Sequence, residues 1–125
     1  MQLMPGTARL MKPGLRKKDL LKPEVNIELG SRYFENLVKR FDGDVEMALA
    51  SYNAGPEVVD KWMARYPRKN RMLFLDLIPY SETRNYVTLI GRNYYWYSQL
   101  YRKQLTEKWG IAKIEPTTFS AFEPL

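Results

Sequence analysis

The chain has neither cysteine nor histidine among its 125 residues. Without cysteine it forms no disulfide, thiolate nucleophile or zinc–thiolate site, and cysteine usage gives no reading of the redox compartment. Without histidine it also loses the usual transition-metal ligands, the Ser/His and Cys/His nucleophile pairs and the imidazole base. Acid–base chemistry near neutral pH then falls to the 14 Asp and Glu residues, or to a Lys or Tyr with a strongly shifted pKa. No cofactor and no metal is expected. Asp42, Asp44 and Glu46 alternate like the start of a calcium loop, but the later ligands are missing, and a turn followed by a helix cap accounts for them. Long apolar runs are absent too. No stretch approaches the roughly 20 apolar residues that span a bilayer, and MQLMPGTARLMKPGLRKK lacks the apolar segment of a signal peptide.

What is present is an ordinary globular mixture, 45% hydrophobic and 27% charged, in a length that suits one domain burying roughly two thirds of its unfolded surface. The net charge of +6 favours an anionic partner: nucleic acid, a membrane surface or a carboxylate-bearing cell-wall polymer. It sets no oligomeric state.

Apolar spacing is helical throughout, with no convincing strand alternation, repeat or low-complexity linker. Up to Leu21, Pro5, Gly6, Pro13 and Gly14 allow only short turns of helix, after Thr7 and around Asp19–Leu21, and Arg16, Lys17 and Lys18 read as a solvated loop. Pro23 opens a helix with Ile27, Tyr33, Phe34, Leu37, Val38 and Phe41 on its buried face, ending at Gly43. Asp44 suits the N-cap of a second helix that is apolar nearly all round. After Asn53, Ala54 and Gly55, Pro56 restarts the chain, with Val58, Val59, Trp62, Met63 and Tyr66 on one face. A basic loop, 65–71, follows. Ser81 is the expected N-cap of a long last helix reaching Trp109, whose apolar face is Tyr86, Val87, Leu89, Ile90, Tyr94, Tyr97, Leu100, Tyr101 and Leu105. The run Tyr94–Tyr97 can stack on sugar faces, though its spacing assigns most of it to the core. The expected architecture is all-α: one compact helical domain over 1–110 and an irregular, extended arm over 111–125.

Three segments carry polar groups that helix patterning does not require. In the first, Gln2 supplies a donor and an acceptor beside the flexible Met4, a combination suited to gripping a sugar or to packing a terminal loop. In the second, Tyr52 and Asn53 close the apolar helix beside Gly55, either projecting into a cleft or acting as C-cap chemistry. In the third, Glu82 stands at a helix start with Arg84 close by, either as a structural carboxylate or as one that orients a substrate.

Taken together and in order, these segments resemble the soluble-type lytic transglycosylases that act on peptidoglycan. Gly-Leu-Met-Gln-aliphatic-Met-Pro, Asn-Ile-x-x-Gly, Ala-Tyr-Asn-Ala-Gly and Ile-Pro-x-x-Glu-Thr-Arg-x-Tyr-Val of that family find counterparts at Met1–Pro5, Asn26–Gly30, Ser51–Gly55 and Ile78–Val87. Ser51 stands in for a common alanine. The resemblance covers roughly Met1–Tyr97. It implies a goose-type, lysozyme-like fold and cleavage of the β-1,4 bond between N-acetylmuramic acid and N-acetylglucosamine. The muramyl 6-hydroxyl closes on the anomeric carbon to leave a 1,6-anhydro end, and one Glu serves as acid and then base, with help from the substrate's acetamido group.

By position, the resemblance places Gln2 and Met4 along the cleft near the cleaved bond. Tyr52 bonds the sugar or the catalytic carboxylate, Asn53 holds the turn below it, and Glu82 supports from across. The substrate-binding set is therefore Gln2, Met4, Tyr52, Asn53 and Glu82. The catalytic Glu, followed by Ser, belongs to a helix ahead of the first motif, and no residue here matches it, so the chain as written is expected to be inactive or nearly so. Peptidoglycan strands are the implied partner, and the bacterial cell envelope or periplasm the implied location, with the export signal outside this sequence.

Two other classes compete. A non-catalytic peptidoglycan-binding remnant would keep the cleft without the acid. A helix-turn-helix DNA binder would use Val45–Tyr52, the Asn-Ala-Gly-Pro turn and Pro56–Tyr66, but Glu57 and Asp60 beside Lys61 and Arg65 suit phosphates poorly.

Overall fold

The computed structural model describes residues 3–66 and 71–109. Gln2, most of the basic loop and the arm expected over 111–125 lie outside the described residues. The elements are α1 (Pro5–Met11), a 3-10 turn (Lys17–Leu21), α2 (Pro23–Arg40), α3 (Val45–Ala54), α4 (Pro56–Arg65), α5 (Arg71–Asp76) and α6 (Ser81–Trp109). Among the described residues there is helix and no strand, as the spacing requires. No described helix is long and apolar enough to cross a membrane. The chain divides into two compact units, Met1–Gly43 and Asp44–Leu125.

In the first unit, Pro5 and Pro23 open α1 and α2, where a missing N–H costs nothing. The region around Pro5 forms a full helix where only short turns are expected from sequence. Arg16 donates to Asp19 at 3.0 Å, so the basic run is partly anchored, and that bond holds the Asp19 carboxyl below the usual carboxylate range. On α2 the expected Leu37 and the following Phe41 are buried and Tyr33, Phe34 and Val38 half-buried, but Ile27 is exposed, and Leu29 and Gly30 are buried in its place. The spacing 26, 30, 33, 37 is the true helical seam, and it runs through Asn26, whose Nδ2 donates to the Leu20 carbonyl at 3.2 Å. This bond ties α2 to the 3-10 turn.

The second unit is organised by α3, which packs against both α4 and α6. Glu46, Met47, Ala48, Leu49, Ala50 and Ser51 are all buried. At about 100° per residue, six consecutive buried positions go more than once around a helix, so α3 is enclosed laterally. Asp44 caps it, accepting from the Met47 N–H at 3.1 Å. At the other end Gly55, at φ +98, is at once the last residue of the α3 turn and the residue before α4. A Cβ there would meet only Glu57 Oε2 at 3.8 Å, so the position demands glycine for its backbone conformation and not for close approach. Val59 and Trp62 of α4, Phe74 and Leu75 of α5, Ile78 and Val87 complete the core.

Three sequence expectations change here. Residues 71–76 form α5, which delivers Phe74 and Leu75 to the core. The long helix begins at Ser81, and the Tyr80 carbonyl accepts the first helical bond, from Arg84 N–H at 3.0 Å; the N-cap is therefore Tyr80 and Ser81 is already helical. The buried side of α6 is Thr83, Val87 and Gly91, while Leu89, Trp96, Tyr97, Leu100 and Tyr101 are exposed. Tyr94 and Tyr95 are half-buried, so the aromatic run is split between covered and open positions.

Replacing Asp44 by Ala removes the side-chain N-cap of α3 and should cost about 1 kcal/mol, read as a lower denaturant midpoint at unchanged slope.

Candidate saccharide site in the second unit

The end of α3 and the start of α6 form a cavity of about 520 Å³ lined by Asn53, Ala54, Pro79, Tyr80, Ser81, Glu82 and Thr83. Each wall has a local cause. Gly55 stops α3 one residue after Ala54, which leaves Asn53 in the last turn, exposed at the cavity. Across from it, the turn before α6 is clamped by Arg84, whose Nη1 donates to the Ile78 carbonyl at 3.1 Å and the Asp76 carbonyl at 3.3 Å. These carbonyls close α5, where a cation is favoured. The clamp fixes the loop that carries Tyr80.

Tyr80 is 54% exposed, and its ring stands edge-on to the buried Trp62, with centroids 5.1 Å apart and planes at 84°. That geometry is the preferred one for two aromatic quadrupoles, and it holds an open phenol ring as a wall. Glu82 is exposed in the first turn of α6. Arg84, expected from sequence to stand by it, is engaged with backbone carbonyls, and Glu82 makes no ion pair among the described residues. Its carboxylate is therefore available to a ligand. Thr83 is 1% exposed and its Oγ1 donates to Asn53 Oδ1 at 2.6 Å, a side-chain bond that joins the two walls.

Of the residues assigned from sequence, Asn53 and Glu82 share this cavity. Tyr52 is half-buried, its hydroxyl oxygen is shielded from solvent, and it is not among the lining residues. Met4 is 71% exposed in the first unit; Gln2 lies outside the described residues. Sequence reasoning missed Tyr80 and Thr83 as site residues, although both lie inside a segment it singled out. The detectable signal was a polar and aromatic residue on each side of Glu82 at a helix start.

The arrangement offers a ring face, a carboxamide and a free carboxylate in one open cavity, the mixture that polyhydroxylated rings require. The sequence model of the Transglycosylase SLT domain matches residues 1–75, and the chain belongs to that family. The match runs through the boundary between the two units and covers the first part of the second. Among characterised relatives, the Soluble lytic murein transglycosylase of Escherichia coli (strain K12) is 35% identical over 130 aligned positions, which cover 98% of this chain and 18% of that protein. That of Salmonella typhimurium (strain LT2) is 36% identical over 115, covering 86% of this chain and 17% of the relative. The chain thus spans less than a fifth of the length of the relatives it matches. No solved structure matches it.

Ser51 is fully buried, and its hydroxyl has no partner among the described residues. Ser51→Ala removes an unsatisfied hydroxyl and improves helix propensity, so it should raise stability by about 1 kcal/mol, seen as a melting temperature a few degrees higher.

Proposed function

We propose that residues 1–110 belong to a peptidoglycan lytic transglycosylase domain acting in the bacterial cell envelope. The observation that carries this reading is the cavity in which Asn53, Tyr80 and Glu82 meet, in a chain whose relatives are, by name, soluble lytic murein transglycosylases. In this reading Tyr80 stacks on a sugar ring, and Asn53 and Glu82 bond its polar substituents. The bond broken is the β-1,4 link from N-acetylmuramic acid to N-acetylglucosamine. The muramyl 6-hydroxyl forms the new bond to the anomeric carbon, its proton passes to the general base, and the leaving oxygen takes a proton from the same carboxyl in its acid form.

No residue among the 125 is assigned that acid. A general acid contributes about 10² to 10⁴ in rate, so the chain by itself is expected to bind glycan and cleave it at a small fraction of the rate of a protein that includes the Glu-Ser helix. A binding remnant with no such helix is the second reading, favoured by the fact that the groups lining the cavity need no acid to hold a sugar. The helix-turn-helix layout of α3, Gly55 and α4 supports no nucleic-acid reading, since the exposed residues of α4 include Glu57 and Asp60 as well as Lys61 and Arg65, and this balance leaves little field for phosphates.

Purified sacculi incubated with the chain, and separately with a version extended upstream to include the Glu-Ser helix, distinguish these outcomes by mass spectrometry. Release of 1,6-anhydro muropeptides by the extended protein is expected. Reducing ends in their place would indicate a hydrolase, and untouched sacculi would overturn the enzymatic reading.

A further inference from the structure

The positive charge of the chain is concentrated in one short segment of the first unit. Residues 9–22 hold six cations, Arg9, Lys12, Arg16, Lys17, Lys18 and Lys22, against the single acid Asp19, so five of the chain's six net positive charges fall within fourteen of its 125 residues. All six cations are exposed. Asp19 is engaged inside the segment: it accepts from Arg16 at 3.0 Å and lies 3.8 Å from the Lys22 ammonium. Arg9, Lys12, Lys17 and Lys18 make no ion pair among the described residues, which leaves most of the charge open to a partner.

The same segment carries the two most exposed large apolar side chains among the described residues, Leu10 at 85% and Leu21 at 81%. Leu10 lies in the last turn of α1 and Leu21 ends the 3-10 turn, and both elements pack against α2. Side chains three apart in a 3-10 turn eclipse, so Lys18 stands beside Leu21 on its open side, while Leu20 is buried. The bond from Asn26 to the Leu20 carbonyl holds the turn in that orientation. One exposed leucine is ordinary. Two of them at opposite ends of a strongly basic segment match a surface that presents negative charge and an apolar phase together, which is what an anionic bilayer presents. A soluble polyanion satisfies the lysines but gives the leucines no acyl layer to enter.

We propose that residues 9–22 are a docking surface for an anionic phospholipid bilayer, with the lysines against headgroup phosphates and Leu10 and Leu21 at the boundary between headgroups and acyl chains. This surface uses no residue of the cavity, and the inference is independent of the saccharide reading.

The test sediments the chain with vesicles of phosphatidylcholine alone and of equimolar phosphatidylcholine and phosphatidylglycerol. The chain should bind the anionic vesicles at least about tenfold more strongly, and less so as salt is added. A lysine near such a surface contributes about fivefold, so Lys17→Gln with Lys18→Gln should weaken binding about 25-fold, whereas Lys17→Arg with Lys18→Arg, which keeps the charge, should retain it. Leu10→Ser with Leu21→Ser should weaken binding about tenfold at unchanged charge. All four positions are exposed, so the variants should keep the circular dichroism of the parent. Equal binding to the two vesicle types would overturn the role of charge. Full binding by the double serine variant would overturn the bilayer as partner and assign the surface to a soluble polyanion. Absence of vesicle binding would overturn the whole inference and leave the reading of the cavity untouched.

Discussion

A helix buried on every side can do chemistry only at its ends, and α3 is such a helix. Met47 to Ser51 are inaccessible in sequence, with Ala48 and Ala50 keeping its neighbours close. Its start is fastened by Asp44, and its far end is decided by one residue in a backbone conformation that glycine alone adopts easily. Those two fixtures determine where Asn53 falls. Everything proposed for the cavity depends on that placement, because Asn53 on a fraying or longer helix would neither reach Thr83 nor line the space before α6.

The opposite wall depends on a different kind of constraint. The N–H groups of Leu77 and Ile78 bond back to the carbonyls of Leu73, Phe74 and Leu75, and Arg84 adds to that order by donating to the carbonyls of Asp76 and Ile78. Family signatures written as Glu-Thr-Arg thus distribute three tasks along consecutive residues: Glu82 faces the cavity, Thr83 reaches Asn53, and Arg84 holds the preceding turn. Adjacent helical residues point about 100° apart, which is why one short motif can serve solvent, core and loop together.

Much of this was legible in the sequence. Pro and Gly punctuation located α2, α3 and α4 closely, and unbroken apolarity identified α3 as the enclosed helix. The α5 helix was obscured by the basic residues before it, since a charge run and a short helix look alike when only one turn and a half is formed. The buried side of α6 was assigned only in part: Val87 lies on it as expected, but Thr83 and Gly91 carry little hydrophobic signal, and of the large side chains that dominate the pattern Tyr86, Ile90 and Tyr94 are half-buried while Leu89, Tyr97, Leu100 and Tyr101 are exposed. Asn26 and Gly30 hid the seam of α2 in the same way. In the cavity, Asn53 and Glu82 could be named from motif order. The contributions of Thr83 and Tyr80 depend on which residues of another helix they meet, Asn53 and Trp62, and sequence spacing does not encode such pairs.

The pairing of Trp62 with Tyr80 also gives the cavity an optical character. Trp62 is nearly sealed from water, while Trp96 is more than half exposed, so these two of the chain's three indoles differ in emission wavelength and in access to ionic quenchers. Because the Tyr80 ring both walls the cavity and touches the Trp62 indole edge-on, a molecule that settles against the phenol changes the surroundings of the shielded fluorophore and leaves the exposed one as an internal reference. Occupancy of the pocket is thereby converted into a spectral change native to the chain.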